Sequence, residues 1–290
     1  MFFVMGMTGR VGGAVARHLL DRGSQVRALI RDRSKVPGWA RDKVELIDGD
    51  WSDAGIIKTA LDNMEGAYVM LPPFFTPSRD FHEAKALVKA YVEAFGSVRV
   101  PRAVILSSFG ADKADRLGSI TPLALLERGL RDLPYPTAVI RPGSFYENYL
   151  YGLQSGEGGV LPGFFAEGGK KAPMTAVDDI ASAVTQLLTG PIWSGRRVIE
   201  LGSLVSPDEL AEQLGAVLGR TVAAQPVPRE GWPAAMHQMG LPEGQTWALE
   251  EMLDSANAGW IDFGVEGTER VEGTTTARNV FEKARRAVGG

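Results

Sequence analysis

The chain has 290 residues, 44% of them hydrophobic and 23% charged, which fits one large α/β unit, or one plus a small lobe. A net charge of -4, with residues 31–35 as the one short basic cluster, excludes a broad cationic surface for nucleic acid or anionic lipid, and no run of about 18 uncharged apolar residues is present to span a membrane. The absence of cysteine excludes disulfides, thiolate metal sites and a cysteine nucleophile, and is compatible with a reducing, cytoplasmic setting.

Phe2-Phe3-Val4-Met5 is a short apolar run that reads as a buried parallel strand rather than a leader, because no positive region precedes it and Arg10 follows within a glycine-rich segment. Gly6, Gly9 and Gly12 come next, and Ala14, Val15, Leu19 and Leu20 then recur at helical spacing until Asp21-Arg22-Gly23. Strand, glycine turn and helix together make a phosphate cradle: missing side chains let an anion approach the backbone, and the first N–H groups and dipole of the helix favour it. Such glycines also mark tight turns that bind nothing, so the surrounding pattern decides. The candidate cradle is Gly6, Thr8, Gly9, Arg10, Val11 and Gly12.

Residues 25–30 read as a second strand. A carboxylate at its carboxyl end would accept hydrogen bonds from an adenosine ribose, whereas an arginine there pairs with a 2′-phosphate. Arg31 stands at that position with Arg33 and Lys35 behind it, which favours NADP over NAD; Asp32 leaves NAD possible. Residues 44–47 form a third strand, Asp50 and Trp51 would border the adenine, and Asp53 caps a helix to about residue 61. A fourth strand at 66–70 closes on Leu71-Pro72-Pro73, and apolar positions between Phe81 and Phe95 mark another helix. The fifth strand, 103–106, opens into Ser107-Ser108-Phe109-Gly110 at the carboxyl edge of the sheet, where ligands sit in this architecture; 137–140 leads likewise into Arg141-Pro142-Gly143.

Residues 154–169 are glycine-rich and read as a flexible segment over a cleft. Asp178 and Asp179 open and cap a helix, 197–201 is a returning strand, and Ser206-Pro207-Asp208-Glu209 starts a helix reaching about residue 218. Three tryptophans between 204 and 262 either wall an apolar pocket or fill a small core. The expected organisation is a Rossmann core at 1–150 and mainly a substrate lobe at 151–290, with 172–202 returning to the core.

The Gly6-x-x-Gly9-x-x-Gly12 turn, "VRALIRD", "LSSFGA", "LPYPTAVIRPGSFYEN" at 133–148 and "SPDELAEQLGAVLGR" together resemble the atypical short-chain dehydrogenase/reductases, specifically the NmrA-like group that includes NAD(P)H:quinone oxidoreductases and azoreductases. The resemblance covers most of the chain. It implies a Rossmann-type doubly wound parallel sheet with a smaller carboxyl-terminal substrate lobe, NADP (NAD possible) as cofactor, an aromatic or quinone-like small molecule as substrate, and a monomer or homodimer. Guided by it, Leu71, Pro72 and Ser107 stand near the nicotinamide, Pro142 at the cofactor, and Phe109, Phe145, Tyr146 and Asn148 around the acceptor, with Ser107, Tyr146 and Asn148 as catalytic candidates. The same group takes in NmrA, understood as a dinucleotide-binding regulator, so a sensor without turnover is the alternative.

Ordinary short-chain dehydrogenases use a tyrosine and a lysine four residues later, the lysine lowering the phenol's pKa. The positions four after the tyrosines here are Pro72, Phe95, Val139, Leu150, Leu153 and Ser155, and none is lysine. Alcohol–ketone interconversion is therefore disfavoured. The expectation is hydride transfer to a quinone or azo acceptor that takes its proton from water. His18, His82 and His237 lie in no metal-ligand spacing, and no Gly-x-Ser-x-Gly elbow occurs, so neither a metal site nor a hydrolase is indicated.

Overall fold

The side chains of β1 (Phe2–Val4) alternate between two apolar cores, Phe2 and Val4 entering one and Phe3 the other, which is why the run is apolar throughout. The computed structural model describes residues 1–165 and 170–288. Then come α1 (Arg10–Asp21), β2 (Val26–Ile30), β3 (Val44–Asp48), α2 (Ala54–Ala60), β4 (Gly66–Val69), α3 (His82–Ser97), β5 (Ala103–Leu106), α4 (Thr121–Gly129) and β6 (Thr137–Pro142). The remainder comprises β7 (Ser144–Phe145), α5 (Gly152–Ser155), β8 (Val160–Gly163), β9 (Ala172–Thr175), α6 (Val177–Thr189), β10 (Arg196–Leu201), β11 (Ser203–Val205), α7 (Pro207–Leu218), β12 (Ala223–Pro226), α8 (Trp232–Gln238), α9 (Trp247–Asn257), β13 (Glu269–Val271) and α10 (Ala277–Val288).

Eight parallel strands form the main sheet in the order β13-β10-β6-β5-β4-β1-β2-β3. One face is covered by α1 and α6 through Val11, Val15, Leu19, Ile180, Val184 and Leu188. The other is covered by α2, α3 and α4 through Ile57, Tyr91, Phe95 and Leu126. This is the doubly wound Rossmann-type sheet expected, and its strand order reverses between β1 and β4. A crevice forms at that reversal, outside the carboxyl ends of the strands.

The chain returns to the sheet twice, with α6 and β10 and again with β13 as the outermost strand; β9 lies instead in a small sheet between β11 and β7. Residues 154–169 are not the plain loop their glycines suggest. They contain the end of α5 and all of β8, whose partner is β12, and residues 166–169 lie outside the described residues. The lobe packs Leu161, Met174, Leu214 and Phe281 between α7 and α10. A further cluster of Phe109, Leu117, Ile120 and Ile261 ties α9 to the loop after β5. Gly118, at φ +49, permits that contact: a Cβ there would lie 1.9 Å from the Ala248 carbonyl oxygen.

Asp53 caps α2, accepting from the Ile56 N–H, and Ser206 with Glu209 forms a reciprocal capping box on α7, both as expected. Asp178 and Asp179 do not cap α6. Asp178 meets His18 at 3.0 Å, and Asp179 accepts from the Thr274 hydroxyl (3.0 Å) and from the Thr275 N–H (3.0 Å) and hydroxyl (2.8 Å). The first N–H of α6, on Val177, donates instead to Glu147 at 3.0 Å. Among the described residues no helix is long and apolar enough to cross a membrane.

Candidate functional site

The three glycines after β1 do three different jobs. Gly6 turns the chain at φ +69, and a Cβ there would sit 2.5 Å from the Met70 sulfur. Gly9 is the exposed N-cap of α1; its N–H closes the turn onto Gly6 (2.8 Å), and a Cβ would meet only the Gly6 oxygen, at 3.3 Å. Gly12 is buried, and a Cβ there would lie 2.3 Å from the Gly6 oxygen and 2.5 Å from that of Met5, so this glycine serves the contact of helix on strand. Thr8 and Arg10 are exposed beside Gly9, whereas the Val11 side chain is buried in the core. The first turn of α1 holds no acidic residue, and no side chain caps it. Its leading N–H groups are therefore left without a side-chain partner at the crevice, the kind of helix start at which anions bind.

At the end of β2 the basic cluster sorts itself by pairing. Arg33 is forked onto Asp48 (2.9 and 2.7 Å), Lys35 stands 3.9 Å from Asp32, and Asp32 itself accepts from the N–H (2.9 Å) and hydroxyl (2.6 Å) of Ser34, bonds that hold its carboxyl below the usual range. Arg31 has no ion pair within reach among the described residues; its guanidinium lies over the Trp51 ring at 5.6 Å. Asp50 is spent on the turn into Ser52, accepting its N–H at 2.8 Å and its hydroxyl at 2.6 Å. A guanidinium on an aromatic platform suits a 2′-phosphate, and the carboxylate that feels its charge, Asp50, is already hydrogen-bonded to Ser52. Arg31→Ala is expected to weaken NADPH binding about tenfold more than NADH binding. Equal losses in a titration with both cofactors would reassign Arg31 to packing.

Ser107 follows β5 and is almost wholly enclosed. Its hydroxyl donates to Glu127 of α4 at 2.8 Å, and Glu127 also accepts from Arg141 Nε (3.1 Å), Arg141 Nη2 (2.6 Å) and Arg196 (2.8 Å). Asp112 lies 3.7 Å from the far side of the same guanidinium. Burial alone would raise the Glu127 pKa, but the bonds and charge of Arg141, with Ser107 and Arg196, outweigh it and hold the carboxyl below its ordinary value. Ser107 thus belongs to a buried charge network, and its proton is committed. Neighbouring Ser108 is half-buried and makes no side-chain hydrogen bond among the described residues.

Beyond the sheet edge lies a partly open cleft of about 100 Å³. Phe109 and Ser144 line its sheet end, and Tyr149, Phe164 and Phe165 supply aromatic walls; Lys170, Lys171 and Asp262 add charge. The ends of β5 and β6 are pinned together there, the Phe109 N–H donating to Pro142 at 3.1 Å. Pro142 and Leu71 are buried at the strand ends, and Pro72 is half-buried. Phe145 packs toward the α1 face of the sheet. Tyr146 does not line the cleft: it is 3% exposed in the lobe core, where burial, with Asp179 and Glu147 adding to it, pushes its pKa up to about 12. Asn148 is exposed.

The tryptophans of the lobe do not wall this cleft either. Trp232 donates to the Val227 carbonyl at 2.8 Å, Trp247 packs against Phe81 with the rings tilted by 59°, and Trp260 lies under Arg116. A separate groove of about 470 Å³ along α9 is lined by Arg116, Arg229, Glu250 and Asp254; Arg229 already pairs with both carboxylates. None of the expected site residues borders it.

Residues 2–275 match the NmrA-like family model. The chain belongs to the NmrA-like family. Over 277 residues this NmrA-like chain is 26% identical to an NAD(P)H azoreductase of Xenophilus azovorans, covering 94% of this chain and 93% of that protein. It is 30% identical over 229 residues to a (4-alkanoyl-5-oxo-2,5-dihydrofuran-3-yl)methyl phosphate reductase of Streptomyces griseus, covering 76% and 74%. Its fold superposes with a TM-score of 0.75 on an Escherichia coli quinone oxidoreductase solved with NADPH, at 24% identity over 98% of this chain and 100% of that one.

Proposed function

We propose that this protein is an NADPH-dependent reductase that passes hydride directly to a quinone- or azo-type acceptor held in the aromatic cleft. The observation that carries this reading is the pairing of an anion-ready glycine turn with a cleft at the same sheet edge, in a chain whose relatives are named as NAD(P)H azoreductase and quinone oxidoreductase. When bound, the dinucleotide supplies the hydride. The turn at Gly9 and the leading N–H groups of α1 hold the pyrophosphate, Arg31 holds the 2′-phosphate, and Trp51 borders the adenine. Leu71 and Pro72 shape the nicotinamide end. Phe109, Phe164 and Phe165 orient a flat ring and exclude water from its faces.

The absence of a tyrosine–lysine pair fits such an acceptor. A ketone needs a positioned acid as hydride arrives, whereas a reduced quinone carries a stabilised anion that water protonates. Ser107 offers no replacement, because its proton already bridges to Glu127. Following NADPH absorbance, we expect oxidation by an electron-poor quinone and, with simple ketones, rates lower by about 10²–10⁴-fold. Efficient carbonyl reduction would overturn the reading, and so would NADPH binding with no turnover across a panel of quinones and azo dyes.

A further inference from the structure

Six tyrosines are present, and their hydroxyls can be accounted for one by one. Tyr68 donates to the Met70 sulfur (3.7 Å), Tyr91 to the Met70 carbonyl (3.3 Å), Tyr135 to the Phe95 carbonyl (3.0 Å) and Tyr151 to the Pro162 carbonyl. Buried phenols normally find such partners. Tyr146 and Tyr149 make no such hydrogen bond among the described residues, and of these two Tyr149 lines the cleft. Tyr149 is half-buried, whereas Tyr146 is 3% exposed. The other polar side chains of the cleft are largely committed. Ser206 caps α7, Asn257 donates to the Phe164 carbonyl (3.1 Å), Lys171 reaches Glu209 (2.6 Å) and Lys170 faces Asp262 (3.5 Å). Among the described residues the hydroxyls of Tyr149 and Ser144 make no hydrogen bond, and the phenol is the stronger donor.

We propose that Tyr149 is a catalytic residue of the reductase, its hydroxyl donating a hydrogen bond to the acceptor oxygen on which negative charge develops. The inference rests on the reductase reading above. Hydride addition gives the quinone two electrons and one hydrogen and leaves an anionic ring oxygen. The phenol stabilises that oxygen without giving up its own proton, and water at the cleft mouth supplies the second hydrogen. The balance is NADPH, quinone and water giving NADP, hydroquinone and hydroxide. Burial raises the Tyr149 pKa above the ordinary phenol value, which suits a donor that keeps its proton. The group selects acceptors that present an oxygen or nitrogen lone pair beside an apolar ring.

The test compares Tyr149→Phe, Tyr146→Phe and Ser144→Ala with wild type, each change keeping or nearly keeping the buried volume. With NADPH and 2-methyl-1,4-naphthoquinone, Tyr149→Phe should lose about 10²-fold in kcat/KM, as expected for one donor to a developing oxyanion, while the NADPH Kd stays unchanged. Fluorescence titration of the same quinone against the cofactor-free protein should show about fivefold weaker binding for Tyr149→Phe alone. A Tyr149→Phe protein within twofold of wild type in both measurements overturns the proposal, as does a loss confined to Ser144→Ala or Tyr146→Phe. If wild type neither binds nor reduces any quinone, the reductase reading falls and takes this proposal with it; if wild type turns over and Tyr149→Phe matches it, this proposal alone falls.

Discussion

Gly9→Glu is expected to abolish dinucleotide binding, with a Kd raised roughly 100-fold or more, in a protein that still folds. A side chain at this exposed N-cap meets the Gly6 oxygen at 3.3 Å, so that turn must yield by a few tenths of an ångström, while its backbone angle of φ -98 is open to any residue; the fold absorbs this far more readily than a change at Gly12. What it removes is the open face of the turn, and it sets a carboxylate where the pyrophosphate must approach the leading N–H groups of α1. Like charges at that distance repel, and the helix dipole is spent on the new glutamate instead. Gly12→Glu should behave differently despite belonging to the same motif. Its Cβ would come within 2.3 to 2.5 Å of the Gly6 and Met5 backbone, so helix and strand must separate. Loss of folded protein is expected there, visible in thermal unfolding even without cofactor. Unchanged NADPH affinity in a folded Gly9→Glu protein would remove the pyrophosphate from this turn. A stable Gly12→Glu protein lacking only binding would show that Gly12 faces the ligand.

The parts legible in the sequence are those whose signal is local. The apolar run of β1 is continuous because both faces of the sheet are covered, and Arg31 is located by counting to the end of one strand. The capping box at Ser206 and Glu209 is likewise written within four residues. Side-chain direction was not legible where a distant partner decides it. Ser107 looks free at a strand end, yet its hydroxyl turns inward because Glu127, on the helix that follows, draws it there together with Arg141 and Arg196. Tyr146 and Tyr149 sit in one short 3₁₀ turn, Tyr146–Tyr149, too brief for periodicity to say which ring enters the core and which lines the cleft. The glycines of 154–169 hid β8, since its partner β12 lies far along the chain and the sequences Val-Leu-Pro-Gly and Ala-Ala-Gln-Pro do not alternate in polarity even though their burial does. Three exposed residues, Glu269–Val271, gave no sign of a strand at all, because an outermost strand of this length carries little burial pattern.

Glu127→Ala is expected to cost about 3–5 kcal/mol of folding stability, the usual penalty for removing one partner of a buried ion network. Glu127 is 3% exposed, Arg141 6%, and among the described residues the change leaves the Arg141 charge with Asp112 alone, 3.7 Å away. Arg196, one of whose nitrogens already lacks a partner, loses its remaining carboxylate, and the Ser107 hydroxyl loses its acceptor. The pH dependence has a definite sign. Because the folded carboxyl is held below the ordinary glutamate value of 4.5, its contribution is fully present above that value and is lost as the pH falls through the lowered one. Wild type should therefore lose stability on acidification below about pH 4.5 more steeply than Glu127→Gln, which keeps the shape of the side chain but cannot titrate. Urea unfolding at pH 7 and again near pH 4 measures both effects. A Glu127→Ala protein within about 1 kcal/mol of wild type at pH 7 would mean that water or a rearranged Asp112 compensates the arginines, and identical acid slopes for wild type and Glu127→Gln would mean that the carboxyl's proton affinity is not set by this network.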